Sequence, residues 1–127
     1  MARTGSGDGI SADAVEGLLA YAATQRGFGG AAMRTTERAI AGARVLAARD
    51  PVTYTGLLVR ALRAGCGLLM SRGRPARALP LAEEALELAR SLGGAPLVMA
   101  LGCTAEVLTA LGRKEEAFIL LVEAEKE

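Results

Sequence analysis

The stretch from Gly73 to Arg90, GRPARALPLAEEALELAR, returns in worn form from Gly112 to Glu125 as GRKEEAFILLVEAE. No feature of the chain constrains its fold more. A unit this short cannot bury its own apolar face, so neighbouring copies must stack and cover one another. Helix pairs repeating every 35 to 45 residues or so build a solenoid, an architecture that usually holds another polypeptide rather than performing chemistry.

The punctuation of the chain places six helices. Ser11 is a good N-cap, and Asp13 and Glu16 follow where acidic groups suit the positive end of a helix, so a first helix is expected from Ser11 to about Arg26. Gly27, Gly29 and Gly30 turn the chain into a second helix from Ala31 to Arg49, closed by Asp50-Pro51 because the residue before proline is driven out of the helical region. A third helix is expected from Val52 or Thr53 to Arg72, and a fourth from Pro75, which tolerates a first-turn position, to Ser91. Gly93-Gly94-Ala95-Pro96 separates it from a fifth over Leu97 to Leu111, and Gly112 precedes a sixth over Lys114 to Glu127. No stretch sustains a two-residue alternation, so no sheet is expected.

Glycines and alanines set the repeats on one another. Gly27 precedes Gly73 by 46 positions, as Ala39 precedes Ala85, whereas Gly73 precedes Gly112 and Ala85 precedes Ala124 by 39. The seven extra residues fall between Asp50 and Gly56. The expected organisation is a flexible tail over 1–10 and one all-α repeat domain over 11–127, a right-handed solenoid of three antiparallel pairs at about 11–49, 52–92 and 96–127.

Composition agrees and excludes several functions. Of 127 residues 51% are hydrophobic but only 3% aromatic, so the core must be alanine, leucine and valine, which allow helices to approach closely. The net charge of +1 gives no broad basic footprint for nucleic acid. No run of 18 apolar residues offers a membrane span. The chain has no histidine, which excludes a metal site of cysteine and histidine, and Cys66 and Cys103 lie in apolar helical stretches. Their first reading is reduced core packing in a cytoplasmic protein, with a disulfide or a reactive thiol as the alternative.

The spacing resembles the tetratricopeptide repeat, whose signature sets large and small residues at fixed steps through two antiparallel helices. In the middle repeat, counted from Val59, Leu62, Gly65, Cys66, Leu69, Gly73, Ala78, Ala82 and Ala85 occupy the signature positions. In the last repeat they are Leu101, Thr104, Ala105, Leu108, Gly112, Ala117, Leu121 and Ala124. The first repeat supplies Leu19, Ala20, Ala23, Gly27, Ala32 and Ala39. The long first step and the phrase from Leu46 to Tyr54 resemble the longer repeats of actinobacterial proteins.

The resemblance implies a concave groove lined by the first helix of each pair, and it puts Tyr21, Arg60, Arg63, Met70, Met99 and Glu106 on that face. Arg60 and Arg63, three apart, share one side of a helix. Two guanidiniums beside a methionine suit an acidic peptide or a terminal carboxylate, because arginine binds carboxylates bidentately. Arg72, Arg74 and Arg77 sit at a turn without aromatics to stack on bases, which argues against nucleic acid. The glutamates Glu83, Glu84, Glu87, Glu115, Glu116 and Glu123 are expected on outer faces, paired with nearby arginine or lysine rather than catalytic. No phosphate-cradling loop or nucleophile with its base is present, so neither an enzyme nor a cofactor or metal is expected.

Phe118-Ile119-Leu120-Leu121-Val122 is the anomaly, since an outermost repeat ordinarily carries a polar outer side. It implies self-association through Phe118, Ile119, Leu120 and Val122, or membership of a longer array. In the competing arrangement Phe118, Leu121 and Val122 turn inward, leaving Ile119 and Leu120 singly on the surface. The expected function is thus a non-catalytic module that grips a partner peptide or helix in its groove. The alternatives are a self-associating adaptor and the sensor portion of a multidomain transcriptional regulator or signalling ATPase.

Overall fold

A computed structural model describes residues 10–27 and 29–127. Most of the expected tail, and Phe28 in the first turn, lie outside the described residues. Ile10, placed with the tail by its sequence, packs against the core.

The described residues form six α-helices and no strand: α1 (Ala12–Thr24), α2 (Ala31–Arg49), α3 (Pro51–Ser71), α4 (Pro75–Ala89), α5 (Gly94–Ala110) and α6 (Lys114–Glu125). None is long and apolar enough to cross a membrane. Side chains close the orphan N–H groups where the sequence supplies an acceptor. Ser11 Oγ accepts from the Ala14 N–H at 3.1 Å, and the Asp50 carboxylate accepts from Thr53 at 3.2 Å. Pro51 therefore begins α3 rather than standing outside it, and one extended residue, Asp50, reverses the chain between α2 and α3. Gly93 and Gly94 likewise carry Pro96 into the first turn of α5, so that helix starts three residues before the expected Leu97.

The ends of α3 and α5 share one device. Arg74 N–H reaches back to Leu69 O and Gly73 N–H to Met70 O, while Arg113 N–H reaches Leu108 O and Gly112 N–H reaches Thr109 O. These are Schellman caps, which need a left-handed residue, and Gly73 and Gly112 have φ of 69° and 81°. The repeat seen in the sequence is thus a repeat of backbone conformation 39 residues apart. Gly27 does not belong to it: α1 ends at Thr24, and the left-handed glycine of that turn is Gly29, with φ of 56°.

Each helix packs on its successor, and α3 lies at the centre, against α1, α2, α4 and α5. The backbones of α1 and α3, and of α3 and α5, also approach one another directly, whereas α2, α4 and α6 make no such approach among themselves. Side-chain ion pairs span the wider gaps instead. Arg44 on α2 reaches Glu84 on α4 at 2.6 Å, and Arg90 on α4 reaches Glu123 on α6.

Small residues permit the tight layer. Ala78, Ala82 and Ala89 are fully buried, and Gly65 faces α2 and α4 so closely that an added Cβ would stand 3.0 Å from Leu81 and 3.2 Å from Ile40. Leu62 and Leu101, both fully buried and 39 apart, are the large residues around which the alanines close.

Burial also corrects the register of the first helix. The inward residues of α1 are Val15 and Ala22, with Ala12 and Leu19 partly covered, whereas Ala20 and Ala23, assigned to signature positions, are exposed. Val15 and Ala22 each stand 47 before their counterparts Leu62 and Leu69, while Ala32 and Ala39 stand 46 before Ala78 and Ala85. The first turn holds one residue more than its equivalent, and that residue rotates every assignment on α1 by one position.

Candidate groove across α1, α3 and α5

The odd-numbered helices approach one another, and hollows open on the surface they share. A half-open hollow of about 580 Å³ runs from Ala12 and Glu16 on α1, across Tyr54, Leu57, Arg60 and Arg63 on α3, to Pro96 and Met99 on α5. A shallower extension of about 310 Å³ continues past Leu19, Arg63 and Ala64. A different hollow of about 250 Å³ lies between α2 and α4, lined by Met33, Glu37, Ile40, Arg44, Leu69, Arg77 and Leu81. It is less than half the size of the first, and its Arg44 is already engaged by Glu84.

Of the six residues assigned to the groove, Arg60, Arg63 and Met99 meet in the large hollow. Met70 lies further along α3, half-buried against the cluster around Cys66, and Glu106 is exposed further along α5. Tyr21, more than a turn beyond Glu16 on α1, does not line the hollow and stands 59% exposed. The one-residue rotation of α1 moves Glu16 in. Glu16 stands 47 before Arg63, at the matching groove position, and it was legible in the apolar spacing of Val15, Leu18, Leu19 and Ala22.

The two arginines are in different states. Arg60 donates to both oxygens of Glu16, each at 2.9 Å, a bidentate pair tying α3 to α1. Those hydrogen bonds hold the Glu16 carboxyl below its ordinary value, against a small opposing effect of burial. A lowered carboxyl contributes stability above its unfolded value near 4.5 and loses it as pH falls through the folded value, so the pair is intact at neutral pH. Both side chains are about half exposed, so the pair contributes at most about 1 kcal/mol.

Arg63, one turn along, is partly buried, and its Nε is shut away from solvent with no hydrogen-bond partner. A buried guanidinium donor without an acceptor costs free energy, which a carboxylate recovers only where the side chain turns its Nε toward it. Arg63 is also surrounded by apolar surface, from Leu57 and Val59 to Met99, where a charge-assisted hydrogen bond is stronger than in water.

Some other charged groups are engaged away from the hollow. Arg72, from the basic turn, donates to the Gly29 carbonyl, and Arg113 and Glu116 pair within one turn of α6. Among the described residues no three of Cys, Asp and Glu gather as a metal-ligand set.

On α6 the surface differs from both arrangements drawn from the sequence. Ala117 is buried, Leu120 packs inward beside Leu79, and Ala124 is partly covered, whereas Phe118, Ile119 and Leu121 are 66%, 64% and 46% exposed. Of the four residues expected at an interface, Phe118 and Ile119 are available, Val122 is half-covered and Leu120 belongs to the core side. Leu121 occupies the place where, one repeat earlier, Ala82 is covered by α5 and its carbonyl meets Thr104 Oγ1 at 3.3 Å.

Compared with known proteins, the chain matches no protein-family model, no curated protein and no solved structure.

Proposed function

We propose that this chain is a tetratricopeptide-like right-handed solenoid of three helix pairs. It would hold an acidic segment of a partner protein in the groove across α1, α3 and α5, without catalysis. The observation that carries the reading is Arg63, a partly buried guanidinium with an unpartnered Nε, whose side chain lines a 580 Å³ hollow. Apolar contacts from Leu57, Pro96 and Met99 would receive side chains of the segment, and Arg63 would take a carboxylate. Arg60 can join only by giving up Glu16, which makes that carboxylate a competitor for the site. The 39-residue recurrence of the Schellman caps and the closer approach of the odd-numbered helices support the solenoid.

Calorimetric titration with an acidic peptide and with its Asn/Gln counterpart tests the reading. The acidic peptide is expected to bind at least about tenfold more tightly, since a charge-assisted hydrogen bond to Arg63 is worth about 1.5–3 kcal/mol. The preference should shrink with added salt. Equal affinities for the two peptides would overturn the carboxylate assignment.

A second reading rests on α6, whose exposed Phe118, Ile119 and Leu121 would be covered by the same helix of a second copy. Phe118→Glu with Ile119→Glu is then expected to convert a dimer to a monomer in light scattering across a dilution series. Leu120 is left unchanged because it supports the fold. A wild-type monomer at every concentration would dismiss self-association.

A further inference from the structure

Cys66 on α3 and Cys103 on α5 bring their Sγ atoms to 3.2 Å, and both are free thiols. We propose that they form a two-thiol site that a hydroperoxide converts to an intramolecular disulfide, tying the two helices together beside the groove. Core packing alone does not require two sulfurs to meet. The alanines that line the rest of the α3–α4–α5 contact, Ala78 and Ala82, show that small apolar groups suffice there.

The geometry assigns each thiol a role. Cys66 is fully buried, whereas Cys103 is only partly covered, so an oxidant from solvent meets Cys103 first. Arg63 lies one turn before Cys66 and places positive charge near both sulfurs. The contact with Cys66 is the largest influence on Cys103 and, with Arg63, holds its thiol below the ordinary value against burial and the charge of Glu106. The same contact and burial push the Cys66 thiol up, so it stays protonated. A thiolate within reach of a second thiol is the arrangement by which redox-responsive cysteines react and then resolve.

The chemistry balances in two steps. The Cys103 thiolate attacks one peroxide oxygen, an S–O bond forms as the O–O bond breaks, and the departing hydroxide or alkoxide takes up a proton. Cys103 is then a sulfenic acid, oxidised by two electrons, and the peroxide is reduced. Cys66 attacks that sulfur, the S–S bond forms as the S–O bond breaks, and the hydroxide leaves as water with the proton from Cys66. The sulfurs must close from 3.2 Å to about 2.05 Å, a movement of roughly 1 Å. A dithiol reductant reverses the change by exchange.

The test uses the wild-type protein at low concentration with a few equivalents of hydrogen peroxide, followed by alkylation and digestion with trypsin under non-reducing conditions. The expected result is loss of both free thiols and of two hydrogens in mass, with the fragments 64–72 and 91–113 linked to each other and released by dithiothreitol. With Cys66→Ser, Cys103 should stop at a sulfenic acid that dimedone captures, whereas Cys66 in the Cys103→Ser protein should stay unreacted. The linked protein should melt about 10 °C higher, because the bridge restrains a loop 37 positions long in the unfolded chain. Oxygen added to Cys103 without a link, a link formed only between two chains, or a linked form that melts below the reduced one would each overturn the proposal.

Discussion

Replacing Leu62 by alanine is expected to cost about 3–5 kcal/mol of stability, enough to unfold much of a domain this size. Leu62 is fully buried on α3, the helix that touches α1, α2, α4 and α5, so the cavity would open in the central helix of the core. Small residues already pack closely along that helix: a Cβ at Gly65 would stand 3.0 Å from Leu81 and 3.2 Å from Ile40, and Ala61 and Ala85 are buried. Urea unfolding should show a lower midpoint with an unchanged slope. Val52→Ala is the matched control, since Val52 is 95% exposed and its loss should change stability by less than about 0.5 kcal/mol. A loss below about 1 kcal/mol at Leu62 would mean that α3 is not the central packing element.

Reversing the charge at Arg63 should weaken binding of an acidic peptide by about 100-fold, whereas Arg60→Ala should weaken it only a few-fold. The sequence treats these arginines as equals, three apart on one helix face. The structure separates them. Arg60 spends an N–H of each terminal nitrogen on Glu16, so removing it takes away chiefly an internal interaction, while Arg63 carries a buried donor with no acceptor. Arg63→Glu places a carboxylate opposite the one that should bind, adding repulsion to the lost hydrogen bond. Glu16→Gln, which frees Arg60, should tighten the peptide. Calorimetry on the three variants separates the effects, and equal losses at Arg60 and Arg63 would contradict the division of roles.

Much of this arrangement can be read from the residues, and the failures have physical causes. Gly73 and Gly112 mark the same cap because a Schellman turn demands a left-handed residue, which glycine provides without strain. The helix count and the buried alanines of α4 follow from the same regularity. Gly27 lies at the distance of Gly73 without marking the same turn, because the chain there takes one residue more. That single residue brings Glu16 to the groove position equivalent to Arg63. The apolar spacing of Val15, Leu19 and Ala22 carried the correct phase, which shows that side-chain periodicity fixes a helix face better than the glycines that bound it.

The phase of α6 was hidden for a different reason. Five consecutive apolar residues have no period of their own, so nothing local says which of them faces inward. The repeat supplied the answer at longer range: Leu120 stands 39 beyond Leu81, which packs against the core, and Ala117 and Ala124 stand 39 beyond Ala78 and Ala85. The sequence reads Cys66 and Cys103 alike as core residues, yet only Cys66 is fully buried, and their meeting depends on α3 and α5 lying side by side, which no local pattern encodes.

The most direct test of the central claim is an amide chemical-shift map of the nitrogen-15-labelled protein during titration with an acidic peptide. The account predicts that the largest changes fall on the groove residues of α1, α3 and α5, around Glu16, Arg60, Arg63 and Met99, and disappear in Arg63→Glu. Changes centred on α6 around Phe118 and Ile119, or on the hollow between α2 and α4 at Glu37 and Arg77, would contradict it.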